Sequence, residues 1–182
     1  MPSWRANGGF SMPELMMATA IVGLVMAGLL GILQSGTASY RFSVARVEAQ
    51  QSARVALERM AKELRSAGYD PTPAGIEPVV LAEPARVAFQ WDLDGDGVVD
   101  PTRERVTYLL RPGETVLRRD AGGGAQPVIN GVEQLVLTYF DVAGAPTTDA
   151  AAVAAIRIRI DVGRGAARVT MQTQAALRNR GV

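Results

Sequence analysis

The stretch "GGFSMPELMMATAIVGLVMAGLLGIL", residues 8–33, contains a long apolar run near the N-terminus. Its 19 residues from Leu15 to Leu33 include no charged side chain. A helix of that length is about 28 Å long, which is enough to cross a hydrocarbon core of roughly 30 Å. The stretch therefore predicts a membrane-spanning helix. One carboxylate, Glu14, lies immediately before the apolar run, and its presence there requires an explanation.

A cleaved secretory signal is the competing interpretation, because "ATA" at residues 18–20 resembles the small-residue cleavage site of such signals. The apolar run continues well beyond that tripeptide, and the preceding "MPSWRANGG" is short and polar with a single basic residue, Arg5. Cleavage after Ala20 would divide the span, so we reject this interpretation.

Helical periodicity continues in "QSARVALERMAKELRSAGYD", residues 51–70. Apolar residues recur there at steps of three and four and form one stripe: Ala53, Ala56, Leu57, Met60, Leu64 and Ala67. We expect the stripe to pack on its own domain rather than on a partner. Gly68 is a natural helix end, so a helix continuous from Phe10 to Ala67 would be roughly 85 Å long.

The remainder of the chain is typical of short strands, rich in β-branched and aromatic residues. Strands are predicted at Arg86–Asp92, Arg105–Arg111, Glu114–Asp120, Glu133–Asp141, Ala155–Val162 and Ala167–Leu177. Pro112-Gly113 predicts a hairpin turn between the second and third of these. The sequence thus predicts an α+β fold in which a long N-terminal helix packs on a C-terminal antiparallel sheet.

Two local patterns in this region are more specific. Along "AIRIRIDV" the isoleucines and Val162 face one way, whereas Arg157, Arg159 and Asp161 face the other. Asp149 is expected to cap a short helix over Ala150–Ala155.

Composition narrows the functional classes. The chain has no cysteine and no histidine, which excludes disulfides and thiol chemistry and removes the commonest general base and metal ligand. The formal net charge is +1, so the charge balance gives no reason to expect nucleic acid as a partner. We therefore expect a protein that is not an enzyme, with no catalytic residue to name.

The segment "WDLDGDGVVDPTRE", residues 91–104, is the candidate metal site. Its order matches positions 1, 3, 5, 6 and 9 of an EF-hand loop, and a backbone carbonyl stands at position 7. The candidate ligands are Asp92, Asp94, Asp96, Val98 (carbonyl) and Asp100. The twelfth position, where a bidentate Glu belongs, is Arg103, and Glu104 comes one residue late. We predict structural Ca²⁺ binding, and an Asp/Gly-rich turn without metal is the alternative.

The N-terminal residues resemble those of type IV pilins and pseudopilins. In that family a short basic leader ends in Gly, the mature chain begins with Phe, and a Glu stands at the fifth mature position. Gly9, Phe10 and Glu14 match this pattern, and the apolar and amphipathic helix extends the resemblance over about the first 70 residues. The segment after residue 51 is similar to PilW-type minor pilins and the J-type (GspJ) pseudopilins of type II secretion.

The resemblance implies that a prepilin peptidase cleaves after Gly9 and that Phe10 is N-methylated. It implies that Glu14 meets the new α-amine of Phe10, in the family's picture that of a neighbouring subunit. A carboxylate that favours a helix N-terminus is the simpler reason for Glu14, and the two can coexist. The implied partners are the peptidase, other pilins or pseudopilins, and the bacterial inner membrane, from which the subunit moves into a pilus or pseudopilus.

The resulting organisation has four parts: a leader at 1–9, a membrane and assembly half of the helix at 10–35, an amphipathic half at 36–68, and a β-rich domain at 69–182. We predict a minor pilin that helps to initiate or cap a filament. A type II secretion pseudopilin is one alternative. The other is a membrane-anchored adhesin or DNA-uptake subunit that would use Arg157, Arg159 and Arg164.

Overall fold

The computed structural model describes residues 9–72 and 74–179, so the first eight residues of the expected leader lie outside the described part. One helix, α1 (Met12–Arg65), precedes a series of short strands. The chain forms two compact units that divide between Ser43 and Val44, and α1 contributes to both. The predicted α+β class is confirmed.

In the first unit every described residue is exposed, including the whole apolar run from Leu15 to Leu33. This half of α1 is long and apolar enough to cross a membrane, by length and composition. Two of its hydroxyls bond back to the helix: Thr19 Oγ1 donates to the Leu15 carbonyl at 3.0 Å and Ser35 Oγ to the Gly31 carbonyl at 2.9 Å. Such bonds satisfy polar groups locally, as an apolar environment requires.

In the second unit the remainder of α1 lies on the domain core. The predicted stripe is buried throughout, with exposed fractions between 0 and 4% from Ala53 to Ala67. This confirms that the stripe packs on its own domain. The helix ends at Arg65, and Gly68 follows at φ 74°, a conformation that favours glycine. The N–H of Gly68 donates to the Gln90 carbonyl at 2.8 Å, which fixes the turn to a strand.

The strands form two antiparallel sheets rather than the single sheet that we predicted. The first sheet has the order β1-β2-β3-β4-β5, and its strands are β1 (Val79–Glu83), β2 (Arg86–Gln90), β3 (Arg105–Leu109), β4 (Val116–Asp120) and β5 (Gln126–Asn130). The second has the order β7-β6-β8-β9, and its strands are β6 (Val132–Phe140), β7 (Pro146–Thr147), β8 (Ala155–Val162) and β9 (Val169–Ala176). Gly131, at φ 75°, is the single residue between β5 and β6 and takes the chain from one sheet to the other.

Two predicted hairpins are confirmed. Pro112-Gly113 lies between β3 and β4, which pair antiparallel, and Gly113 has a φ of 79°. β8 and β9 pair in continuous register from Ala155↔Ala176 to Val162↔Val169. The helix predicted at Ala150–Ala155 is shorter, a 3₁₀ turn over Ala150–Ala152, because Ala155 already begins β8. Asp149 caps it by accepting a hydrogen bond from the Ala151 N–H at 3.1 Å.

Polar contacts join α1 and the two sheets within the second unit. Glu63 on α1 accepts hydrogen bonds from the Tyr108 hydroxyl at 3.0 Å and from Arg119 Nε at 2.8 Å. Burial and the neighbouring Glu63 charge raise the pKa of Tyr108 well above its ordinary value, so the phenol stays a donor. Tyr139 on β6 donates its hydroxyl to the Glu83 carbonyl of β1 at 2.7 Å and thereby ties the second sheet to the first.

Candidate functional site

The N-terminal candidate site begins with Gly9 and Phe10, which precede α1 and are exposed. Ser11 stands before the first helical residue, and its carbonyl accepts the N–H groups of Glu14 and Leu15 at 3.0 and 3.1 Å. In return, Glu14 Oε2 lies 3.5 Å from the Ser11 backbone nitrogen, a long hydrogen bond. Ser11 and Glu14 thus form half of a capping box, for which Ser-x-x-Glu is the sequence signal.

This geometry gives Glu14 a role at the helix start in the uncleaved chain, where the nitrogen of Phe10 is an uncharged amide. No ion pair in the described residues involves Glu14. The predicted partner, the α-amine of Phe10, exists only after cleavage. The pairing of Glu14 with that amine therefore stays a prediction.

Nothing in the described structure requires glycine at position 9. A Cβ built there meets no atom within 4 Å, and the residue has no positive φ. Gly23, Gly28, Gly31 and Gly36 on the apolar helix face equally open space. Glycine in a helix interior costs about 1 kcal/mol relative to alanine. The contacts of the described residues therefore do not require these glycines.

The acidic loop (residues 92–104, between β2 and β3) is the second candidate site. Asp92 is fully buried, and its two carboxylate oxygens accept the N–H groups of Gly95 at 2.6 Å and Gly97 at 2.9 Å. Asp94 and Asp96 are exposed, and each accepts an N–H from two residues further on, at 3.3 and 2.8 Å. The loop is built from carboxylate-to-backbone bonds, which Asp and Gly favour in turns.

Three of the predicted carboxylates converge. One oxygen each from Asp92, Asp94 and Asp96 lies within 4.8 Å of the others. Desolvation, together with the nearby charges of Asp96, Glu104 and Asp92, raises the pKa of Asp94. A carboxylate oxygen has two lone pairs, so one that accepts an N–H can still bind a hard cation.

The other two predicted ligands are the carboxylate of Asp100 and the backbone carbonyl of Val98. Asp100 is outside the converging group, and its Oδ1 accepts the Thr102 hydroxyl at 2.7 Å and the Thr102 N–H at 2.8 Å. These bonds lower the pKa of Asp100. The side chain of Val98 is exposed, and its N–H donates to Asp96.

Glu104 has a role that the sequence did not reveal. It is 3% exposed, and its Oε1 accepts the Leu93 N–H at 2.7 Å while its Oε2 accepts the Asp100 N–H at 2.8 Å. These backbone bonds lower the pKa of Glu104. Glu104 therefore connects Leu93 and Asp100 to the end of the acidic loop. Its position just before β3 is the only feature of the sequence that indicates this role.

The basic residues of the alternative binding hypothesis make different contacts. Arg157 lies over the Phe140 ring, 4.7 Å from its centroid, and Arg159 Nε is 3.7 Å from Asp161. Arg164 is exposed before the 3₁₀ turn at Gly165–Ala167. Asp161, which the alternation placed on the solvent side, is only 3% exposed because Arg168 pairs with it.

Comparison with known families identifies the N-terminal site. Residues 4–30 match the family described as the prokaryotic N-terminal methylation motif, a type IV pilin-like prepilin signal. The match includes Gly9, Phe10, Glu14 and most of the apolar run. No curated protein matches the chain.

Proposed function

We propose that this protein is a minor pilin of a type IV pilus, a structural subunit that helps to initiate or cap filament assembly. The observation that carries the proposal is the methylation motif at residues 4–30, at the head of a helix whose apolar span is entirely exposed. Proteins with this motif are structural subunits rather than enzymes.

Processing is the first step of the proposed function. A prepilin peptidase cleaves after Gly9 and methylates the new N-terminus at Phe10. The exposure of both residues supports access by the peptidase. The open space around Gly9 supports a glycine that is selected by an enzyme rather than by the fold.

Assembly is the second step. The precursor is held in the bacterial inner membrane by the run from Leu15 to Leu33, and the helix then packs among other pilins in the filament. The exposed glycines support this role, because small residues let helices approach closely in an apolar environment. Glu14 then pairs with an α-amine, which offsets the cost of placing a carboxylate among apolar groups.

Glu14→Ala tests this assignment. We expect membrane insertion and cleavage to persist while incorporation into sheared filaments falls at least tenfold, because the interfacial carboxylate–amine pair is lost. Glu58→Ala is the matched control, since Glu58 is an exposed glutamate in the second half of α1. Normal incorporation of Glu14→Ala would exclude the proposed pairing.

A J-type pseudopilin of type II secretion is the second candidate, because it would carry the same motif and the same exposed helix. Deletion of the gene separates the two candidates. Loss of surface filaments with normal protein secretion supports the minor pilin, and the reverse result supports the pseudopilin.

We also propose that the acidic loop holds a structural Ca²⁺. The convergence of Asp92, Asp94 and Asp96 supports this, since carboxylate oxygens are the ligands that Ca²⁺ prefers. The metal would stiffen a loop that is otherwise held by hydrogen bonds to backbone N–H groups.

A further inference from the structure

The second unit has a cleft of about 740 Å³ at the C-terminal end of α1. We call it the basic cleft. Its lining includes three cations and three large apolar or aromatic side chains: Lys62, Arg65, Arg178, Tyr69, Trp91 and Leu93. None of them belongs to the methylation motif or to the converging carboxylates. A cleft of this size accommodates several side chains of a ligand.

Three cations line the basic cleft. Lys62, Arg65 and Arg178 form no ion pair with any described residue. Glu63 also lines the cleft, but Arg59 and Arg119 already pair with it at 3.2 and 2.8 Å. Three like charges that line one concave site favour an anionic ligand.

The walls between these cations are apolar and aromatic. Tyr69 is 47% exposed and Leu93 is 63% exposed, although both are large side chains. Trp91 is held by a tilted ring contact with Phe89, at 5.5 Å between centroids. The Trp91 Nε1 donor is buried and finds no acceptor among the described residues. Exposed apolar groups beside cations are typical of a binding site rather than of a solvated face.

We propose that the basic cleft binds an acidic peptide segment of a protein partner. Carboxylates of the segment pair with Lys62, Arg65 and Arg178, and an aromatic or aliphatic side chain lies on Tyr69 and Leu93. The chain's net charge of only +1 argues against a nucleic acid, which is bound through an extended basic surface. The proposal does not depend on processing at Gly9.

Trp91 offers a direct readout, because the chain has only one other tryptophan, Trp4. The experiment uses the full chain with Trp4→Phe in detergent micelles. The probe is a blocked hexapeptide, Glu-Phe-Glu-Glu-Phe-Glu, and the control peptide carries Gln at each Glu position. We expect a saturable change in Trp91 fluorescence with the acidic peptide and binding at least about tenfold weaker for the Gln peptide, which corresponds to roughly 1.4 kcal/mol.

The double variant Lys62→Gln/Arg65→Gln tests the site itself. We expect it to weaken binding of the acidic peptide by about tenfold or more, because charged hydrogen bonds are lost. Arg54→Gln is the matched control, since Arg54 is an exposed arginine on α1 outside the cleft, and it should bind as the parent does. Thermal unfolding of each variant establishes that it is folded.

Three results would overturn the proposal: equal binding of the two peptides, unchanged binding by a folded double variant, or no saturable signal with millimolar peptide. Tighter competition by a single-stranded oligonucleotide than by the acidic peptide would also overturn it, in favour of a nucleic-acid site.

Discussion

The two halves of α1 have the same secondary structure and opposite surroundings. From Leu15 to Leu33 every side chain is exposed, although the sequence there is almost entirely apolar. From Ala53 to Leu64 one stripe is buried, although most residues between its members are polar or charged. Hydrophobicity alone therefore does not say what a helix packs on. The second half packs on its own unit, whereas the first half presents an exposed apolar surface that is long enough to cross a membrane.

The largest expected effect compares one leucine from each half. Leu64→Ala should lower the free energy of unfolding of the second unit by about 2–5 kcal/mol, because Leu64 is fully buried and its removal leaves a cavity. Leu24→Ala, at a position that is 78% exposed, should leave that free energy unchanged. Urea unfolding followed by Trp91 fluorescence in the Trp4→Phe chain measures both. If the two substitutions lowered the free energy of unfolding equally, the two halves of α1 would not differ in how they pack on the second unit.

A glycine from each half gives the next effect. Gly68→Ala should destabilise the second unit by about 1–3 kcal/mol, because alanine disfavours a φ of 74° and its Cβ would contact the Asn179 carbonyl and Pro78. Gly28→Ala should instead raise helix content slightly and leave the unfolding of the second unit unchanged, since its Cβ meets open space. Circular dichroism and the same urea titration measure both. A neutral Gly68→Ala would contradict the argument.

Calcium should stabilise the second unit more modestly. Millimolar Ca²⁺ should raise its melting temperature by about 2–4 °C, as expected for a ligand that binds only the folded state with modest affinity. The double variant Asp94→Asn/Asp96→Asn should abolish the shift, whereas Glu133→Gln, a charge change at an exposed position on β6, should retain it. No shift in the parent chain would leave the Asp/Gly-rich turn as the explanation of the loop.

The smallest expected effect concerns the hydrogen bonds that the Glu104 carboxylate accepts from backbone N–H groups of the acidic loop. Backbone hydrogen bonds lower its pKa in the folded state from an ordinary value of 4.5. The ionised carboxylate therefore contributes stability above that value, and the contribution is lost as the pH falls through the lowered pKa. Glu104→Gln should be less stable than the parent at neutral pH, with a gap that narrows below pH 4.5. Glu58→Gln, on the exposed face of α1, should be as stable as the parent at neutral pH. A gap for Glu104→Gln that is independent of pH would exclude this role of the carboxylate.

The elements that were predicted correctly are those in which buried and exposed residues follow a regular period along the sequence. The stripe on α1 and the alternation in β8 each bury one side of a regular element, and a periodic pattern records that burial directly. The hairpin at Pro112-Gly113 could also be predicted, because Pro and Gly at adjacent positions favour a turn. At the N-terminus, Gly9, Phe10 and Glu14 are close in sequence, so a motif could identify them together.

The parts that it missed depend on distant residues. The chain passes from the first sheet to the second at Gly131, which resembles every other turn glycine in the sequence. β5 was missed because it contains Pro127, which an edge strand tolerates. The burial of Asp161 depends on Arg168 across the β8–β9 hairpin, and the role of Glu104 depends on amides up to 11 residues away. Neither contact can be predicted from the residues next to it in the sequence.

As proposed above, the first half of α1 becomes an assembly helix after processing at Gly9. The most direct test is the intact mass of the mature protein, purified from membranes of a strain that has an active prepilin peptidase. We predict a chain that begins at Phe10 and carries one methyl group on its α-amine. A mature chain that begins at Met1, or at Ile21 after a cut behind Ala20, would exclude processing at Gly9.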